Sequence, residues 1–208
     1  MRKSTAMGVT RVELFSDAVF AIAITLLVLD VKVPKHEGIH YAGELWGSLV
    51  QLWPSYLGFA FSFLVIGVMW INHHSVFEYI GRIDRLSMFV NLLLLMGIAF
   101  LPFSSAILAE HLANPGTRSV ASAYYGVTLI YITVMYNVLW WVGRRQRKLL
   151  KLEPHLVQGE RTITFRYAVS LACVICAVAF TAVNVWLSLC VYLILVLWNG
   201  FSERLWRT

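Results

Sequence analysis

Charged side chains are scarce in this 208-residue chain, at 13% of positions, and only 11 residues are acidic. That scarcity excludes an ordinary soluble domain, whose surface needs about a quarter of its residues charged. Cysteine occurs three times. Cys173 and Cys176 form a Cys-x-x-Cys in one apolar run, with Cys190 in the next. An apolar setting disfavours the thiolate, so these read as small residues at helix contacts before a redox pair or metal site. No acid lies at the middle of an apolar run, and no low-complexity tract, long soluble domain or clear internal repeat is present. Nor is there a nucleophile–base–acid grouping or a metal-ligand constellation, so an enzyme is not expected. His36 and His40 have i,i+4 spacing, but Gly38 between them points to a loop.

Apolar sequence is abundant instead. Hydrophobic residues make up 59% of the chain, and mean hydropathy is +0.71. Six runs approach the roughly 20 residues that a spanning helix needs. They lie at 14–33, 50–72, 87–108, 121–143, 163–184 and 186–202, the last being the shortest. The fifth and sixth nearly touch, which predicts a tight antiparallel hairpin. None alternates polar and apolar residues as a barrel strand would, so the expected fold class is all-α: one integral membrane domain over 1–208 with six transmembrane helices.

Fourteen of the seventeen Lys and Arg residues fall on one side of this topology, leaving Lys32, Lys35 and Arg118 on the other. The positive-inside rule puts that side, and both termini, in the cytoplasm. The net charge of +6 is then a topological signal and not a nucleic-acid footprint. Trp46, Trp53, Trp140, Trp141, Trp186, Trp198 and Trp206 fall near run ends, as interfacial belts do. The first run is not expected to be a cleaved signal peptide, since Asp17 sits near its start and no small-x-small site follows Leu29.

That first run is the most informative. It opens with Arg11-x-x-x-Phe15-Ser16-Asp17 and continues through Ile22, Leu26 and Leu29, with Thr25 as its one polar interruption. At about 100° per residue, Ile22, Leu26 and Leu29 share a narrow stripe, and Asp17 points about 140° away from Ile22. A carboxyl at that depth needs donors. Ser16, Trp70 and the His73–His74 pair lie at the same membrane face. Adjacent histidines point about 100° apart and cannot chelate one ion as neighbours, whereas Trp70 and His73 share a face. Their expected place is the end of the second span. Periodicity alone leaves the aliphatic stripe as helix packing, lipid contact or a pore lining.

The stretch Arg11-x-x-x-Phe15-Ser16-Asp17-Ala-Val-Phe-Ala-Ile-Ala-Ile-Thr-Leu-Leu-Val-Leu-Asp30 resembles the signature of the transmembrane protein 175 family of potassium channels, in its bacterial branch. The resemblance extends to Trp70-Ile-Asn-His-His, Ile83-Asp84-Arg85, Asn91-Leu-Leu-Leu-Leu and Leu101-Pro102-Phe103, and so covers the first three spans. It implies a homotetramer of six-span subunits in a prokaryotic cell membrane, with first helices around a central axis. Such members lack a Thr-Val-Gly-Tyr-Gly filter, and so does this chain. The resemblance makes Ile22 the narrowest aliphatic ring, with Leu26 and Leu29 as further rings and Thr25 adding hydroxyls. It makes Arg11, Phe15, Ser16 and Asp17 a brace, with Trp70 and His73 as partners. The permeant species is potassium, among monovalent cations, and no cofactor is implied. Val31 and Lys32, at the outer end, are the visible departures. The alternatives are a proton-coupled secondary transporter using Asp17 and the histidines, and a non-conducting membrane scaffold.

Overall fold

The structure, a computed structural model, describes residues 9–34, 40–80, 83–149 and 160–201. Arg2, Lys3, Lys35, His36, Arg82, Lys151, Arg204, Trp206 and Arg207 lie outside the described residues. Among those described, every regular element is a helix: α1 (Val9–Leu26, continued by a 3-10 turn over Leu27–Asp30), α2 (Ala42–Gln51), α3 (Trp53–Ile80), α4 (Arg85–His111), α5 (Arg118–Leu149), α6 (Glu160–Phe180) and α7 (Val185–Phe201). Five segments, in α1, α3, α4, α5 and α6, are long and apolar enough to cross a bilayer, and Val185–Asn199 in α7 is apolar but shorter.

Local chemistry sets the helix ends. Pro54 in the first turn of α3 has no N–H to donate and its ring would crowd the carbonyl of Val50. The expected 50–72 run is therefore broken at Leu52: its first two residues close the short α2 and the rest lie in α3, with the Leu52 N–H turning back to the Leu49 carbonyl. The other end of α3 lies eight residues beyond the expected limit, at Ile80. His73 and His74 thus sit inside a helix rather than capping one. Asp84 caps α4, its Oδ1 accepting from the Ser87 N–H at 2.8 Å, which gives Ile83-Asp84-Arg85 a structural meaning. The α6–α7 turn is as tight as expected. It spans Thr181–Asn184, and Asn184 Oδ1 accepts from the N–H groups of Trp186 and Leu187 at 2.9 and 3.2 Å.

Helix α4 is the centre of the bundle and packs against α1, α3 and α5. Its buried residues, from Ser87 and Val90–Asn91 through Leu94–Leu95 and Ile98 to Leu108–Ala109, recur at helical spacing. The helix runs unbroken through Pro102. Beyond α4, helices α3, α5, α6 and α7 form a ring in which each touches the next. Close approach needs glycine at two positions. A Cβ on Gly97 would stand 2.8 Å from Ile132 and Tyr131, and one on Gly126 would run into the Tyr192 hydroxyl and Val178. Several buried hydroxyls pair across helices: Ser62 with Ser105 at 2.8 Å and with Tyr125 at 3.1 Å, and Ser104 with Thr128 at 2.8 Å.

Candidate functional site

Helix α1 has two unlike faces. Val12, Ser16, Phe20, Ala23 and Leu27 are buried against α3 and α4, at the 4-4-3-4 spacing of an inward stripe. The opposite face carries Arg11, Phe15, Ile22, Thr25, Leu26 and Leu29, all exposed in the single subunit. Ile22 is 59% exposed and Leu29 71%. Thr25 donates its hydroxyl proton to the Ile22 carbonyl at 2.9 Å, a bond back to the preceding turn that leaves its oxygen lone pairs as acceptors on that face.

Two hydrogen-bond sets hold the buried side of α1. Trp70 Nε1 on α3 donates to Asp17 Oδ1 at 2.8 Å. Beside it and fully buried, Asn91 Nδ2 on α4 donates to Ser16 Oγ at 3.0 Å, and Asn91 Oδ1 lies 2.9 Å from His73 Nε2 on α3. Since the amide oxygen can only accept, His73 carries its proton on Nε2 in this bond. Ser16 donates its own hydroxyl hydrogen bond to the Val12 carbonyl at 2.8 Å. Ser16, His73 and Asn91 are each no more than 1% exposed, so water cannot replace a lost partner. Aromatic contacts fix the imidazole plane. Phe20 meets it edge-on at 5.3 Å between centroids, and Phe77 stacks on it at 4.4 Å.

Asp17 and Trp70 therefore meet, and Ser16 and His73 meet through Asn91, a residue within the Asn91-Leu-Leu-Leu-Leu motif that was not assigned to the brace. An asparagine within an apolar run is its own signal, because an amide there needs partners. The resemblance places Arg11 and Phe15 in the brace; within one subunit both are exposed on the side of Ile22. Helix geometry is the reason: Arg11 is eleven residues before Ile22, which returns it to within about 20° of that side chain. His74 adds a third α1–α3 contact, with Nδ1 3.9 Å from Glu13 Oε1 and Nε2 3.6 Å from Glu78 Oε1.

The remaining candidates do not converge on this site. Cys173 is half-buried and Cys176 and Cys190 are exposed, all as free thiols. Among the described residues no group of three His, Cys, Asp or Glu side chains could hold a metal ion. His40 serves locally, its backbone N–H donating to Glu44 Oε2 at 2.7 Å ahead of α2.

Residues 11–102 match the family described as "Endosomal/lysosomal potassium channel TMEM175". The chain is 42% identical over 194 residues to a potassium channel of Streptomyces collinus, covering 93% of this chain and 92% of the relative. It is 44% identical over 196 residues to a potassium channel of Chamaesiphon minutus, covering 93% and 94% respectively. The crystal structure described as a lysosomal potassium-selective channel TMEM175 homolog from Chamaesiphon minutus superposes with a TM-score of 0.83, at 39% identity over 93% of this chain and 97% of that one. Five membrane-length helices arranged as in that channel make this a multi-pass membrane protein. The chain belongs to the TMEM175 family.

Proposed function

We propose that this protein is one subunit of a potassium-permeable channel in which four copies of α1 surround a central pore. The observation that carries the reading is the division of α1: one face locked to α3 and α4, the other an exposed stripe of Ile22, Leu26 and Leu29. A subunit that lines a pore with a single helix needs copies of itself to close the ring. Six spans with both termini in the cytoplasm fit the basic residues gathered at the end bearing Arg144, Arg145, Arg161 and Arg166. That polarity suits the plasma membrane of a prokaryote.

Ile22 forms the constriction in this reading, with Leu26, Leu29 and the Thr25 oxygen lining the outward continuation. An aliphatic ring offers an ion no ligands to replace water, so passage requires enough width to keep part of the hydration shell. Potassium holds that shell less tightly than sodium and passes more readily; a ring that dewets is closed without any moving lid. Ser16, Asp17, Trp70, His73 and Asn91 keep the stripe aimed at the axis. Arg11 and Phe15 share its face at the cytoplasmic end, where they meet neighbouring subunits or the pore mouth. The chemistry needs no cofactor.

Potassium efflux from potassium-loaded liposomes tests the reading. A channel passes potassium down its gradient with no counter-ion. Flux that requires a proton gradient would establish the carrier alternative, and absence of flux with any monovalent cation would leave a scaffold.

A further inference from the structure

Helix α2 draws the least support from its own subunit. It is ten residues long, carries Gly43 and Gly47, and buries none of its residues. Helices shorter than about 12–15 residues are marginal in water on their own, and glycine weakens them further. Its polar groups act locally: Glu44 accepts the His40 N–H at 2.7 Å, and Ser48 donates to the Glu44 carbonyl at 2.9 Å. Its apolar groups are left open, with Trp46 70% and Val50 55% exposed and Leu45 exposed beside them. The two kinds of residue are cleanly separated. Leu45, Trp46, Leu49 and Val50 share an arc of about 140°, and Gly43, Glu44, Gly47, Ser48 and Gln51 share the opposite one. The apolar phase that stabilises this helix therefore lies outside the subunit.

Contacts place α2 at one end of the bundle. Lys32, just past α1, lies 3.7 Å from Glu110 near the end of α4. Trp53, which opens α3, stacks on Trp186 near the start of α7, with 6.2 Å between ring centroids. The opposite end holds the Asp17–Trp70 and Glu13–His74 contacts. From Trp53 to Trp70, α3 rises about 26 Å, close to the roughly 30 Å of a hydrocarbon core. With Trp70 at one boundary of the core, Trp53 stands at the other, and only Leu52 separates it from α2. Trp53 and Trp186 are themselves exposed, so indoles of the interfacial type stand next to the open face of α2.

We propose that α2 lies in the interfacial layer of the bilayer, at the end of the bundle remote from Arg144 and Arg166. Leu45, Trp46, Leu49 and Val50 enter the acyl boundary, and Glu44, Ser48 and Gln51 face water. The helix has no Lys or Arg, so its partner is the apolar boundary itself and not an anionic headgroup. Residues 31–41 join α2 to the end of α1. The membrane surface thereby holds the start of α3 and tethers the end of the helix that carries the Ile22 stripe. The placement of α2 does not depend on the channel reading.

The experiment is fluorescence of the intact protein in phosphatidylcholine liposomes, wild type minus Trp46→Phe, which isolates the emission of Trp46. The quenchers are phosphatidylcholine brominated near the headgroup end of its chains, the same lipid brominated near the methyl end, and iodide on both sides of the membrane. The expected result is loss of about half of the Trp46 emission to the shallow bromine, and less to the deep one, as for a face buried about 5–10 Å into the boundary. In the Trp46→Phe background, Val50→Trp should repeat this pattern, whereas Gln51→Trp should be quenched by iodide. Quenching of Trp46 by iodide and not by bromine would leave the face in water. Quenching by none of the three would give the face to a second copy of the chain, and stronger quenching by the deep bromine would place it within the core. Each of these overturns the proposal, as would equal behaviour of the Val50→Trp and Gln51→Trp variants.

Discussion

Replacing Asn91 by alanine removes both ends of one amide, orphaning Ser16 on α1 and His73 on α3 at once. Each buried polar group left without a partner costs about 1–3 kcal/mol. The expected outcome for Asn91→Ala is a markedly lower melting temperature in detergent and a smaller oligomer fraction on size-exclusion chromatography. An unchanged melting temperature would show that the amide is not structural. Trp70→Phe keeps the ring and deletes only the N–H that serves Asp17. Both residues are partly solvated, so its cost should be smaller, about 1 kcal/mol. The same thermal scan ranks the two variants. Asp17 and Trp70 were readable as partners because both are conspicuous polar groups at one membrane face. Asn91 was harder to place, since its partner Ser16 lies 75 residues away in sequence and only packing of α4 against α1 brings them together. Arg11 shows the opposite problem. It stands beside the Ser16–Asp17 motif in sequence, but helix rotation carries it to the exposed face.

At the scale of elements, glycine sets how closely α5 can approach α6 and α7. In Gly126→Ala the new methyl would run into the Tyr192 hydroxyl and Val178, and overpacking of this kind costs about 1–3 kcal/mol. Adding Tyr192→Phe removes one of the two clashing groups. The double variant should recover about 0.5 kcal/mol or more in a thermal-melt mutant cycle, and strict additivity would contradict the contact. Apolar run length made five spans and the α6–α7 hairpin legible without coordinates. Helix ends were less so, and for identifiable reasons. His73, His74 and Glu78 look like a span end by residue type, but their side chains find partners across to Asn91 and Glu13 or along α3, and the helix continues past them. Helix α2 carries Gly43 and Gly47 within ten residues, so its propensity signal is weak; Pro54 supplies the boundary that an apolar run conceals.

For the whole molecule, an aliphatic stripe on α1 is unremarkable as sequence and becomes informative only beside the face it opposes. Residue patterning separated the two faces. It did not say whether the outward one meets lipid, another subunit or an ion, because in each case the same apolar side chains would do. Family membership and the locked inner face favour a shared axis, and that is the central claim. Its most direct test is single-channel recording of the wild-type protein and Ile22→Asn in planar bilayers, in potassium and in sodium solutions. The account predicts a raised current in Ile22→Asn with a reduced preference for potassium, because a polar side chain keeps the ring wetted and gives sodium oxygen ligands. Wild-type conductance and wild-type ion preference in a folded Ile22→Asn channel would contradict it.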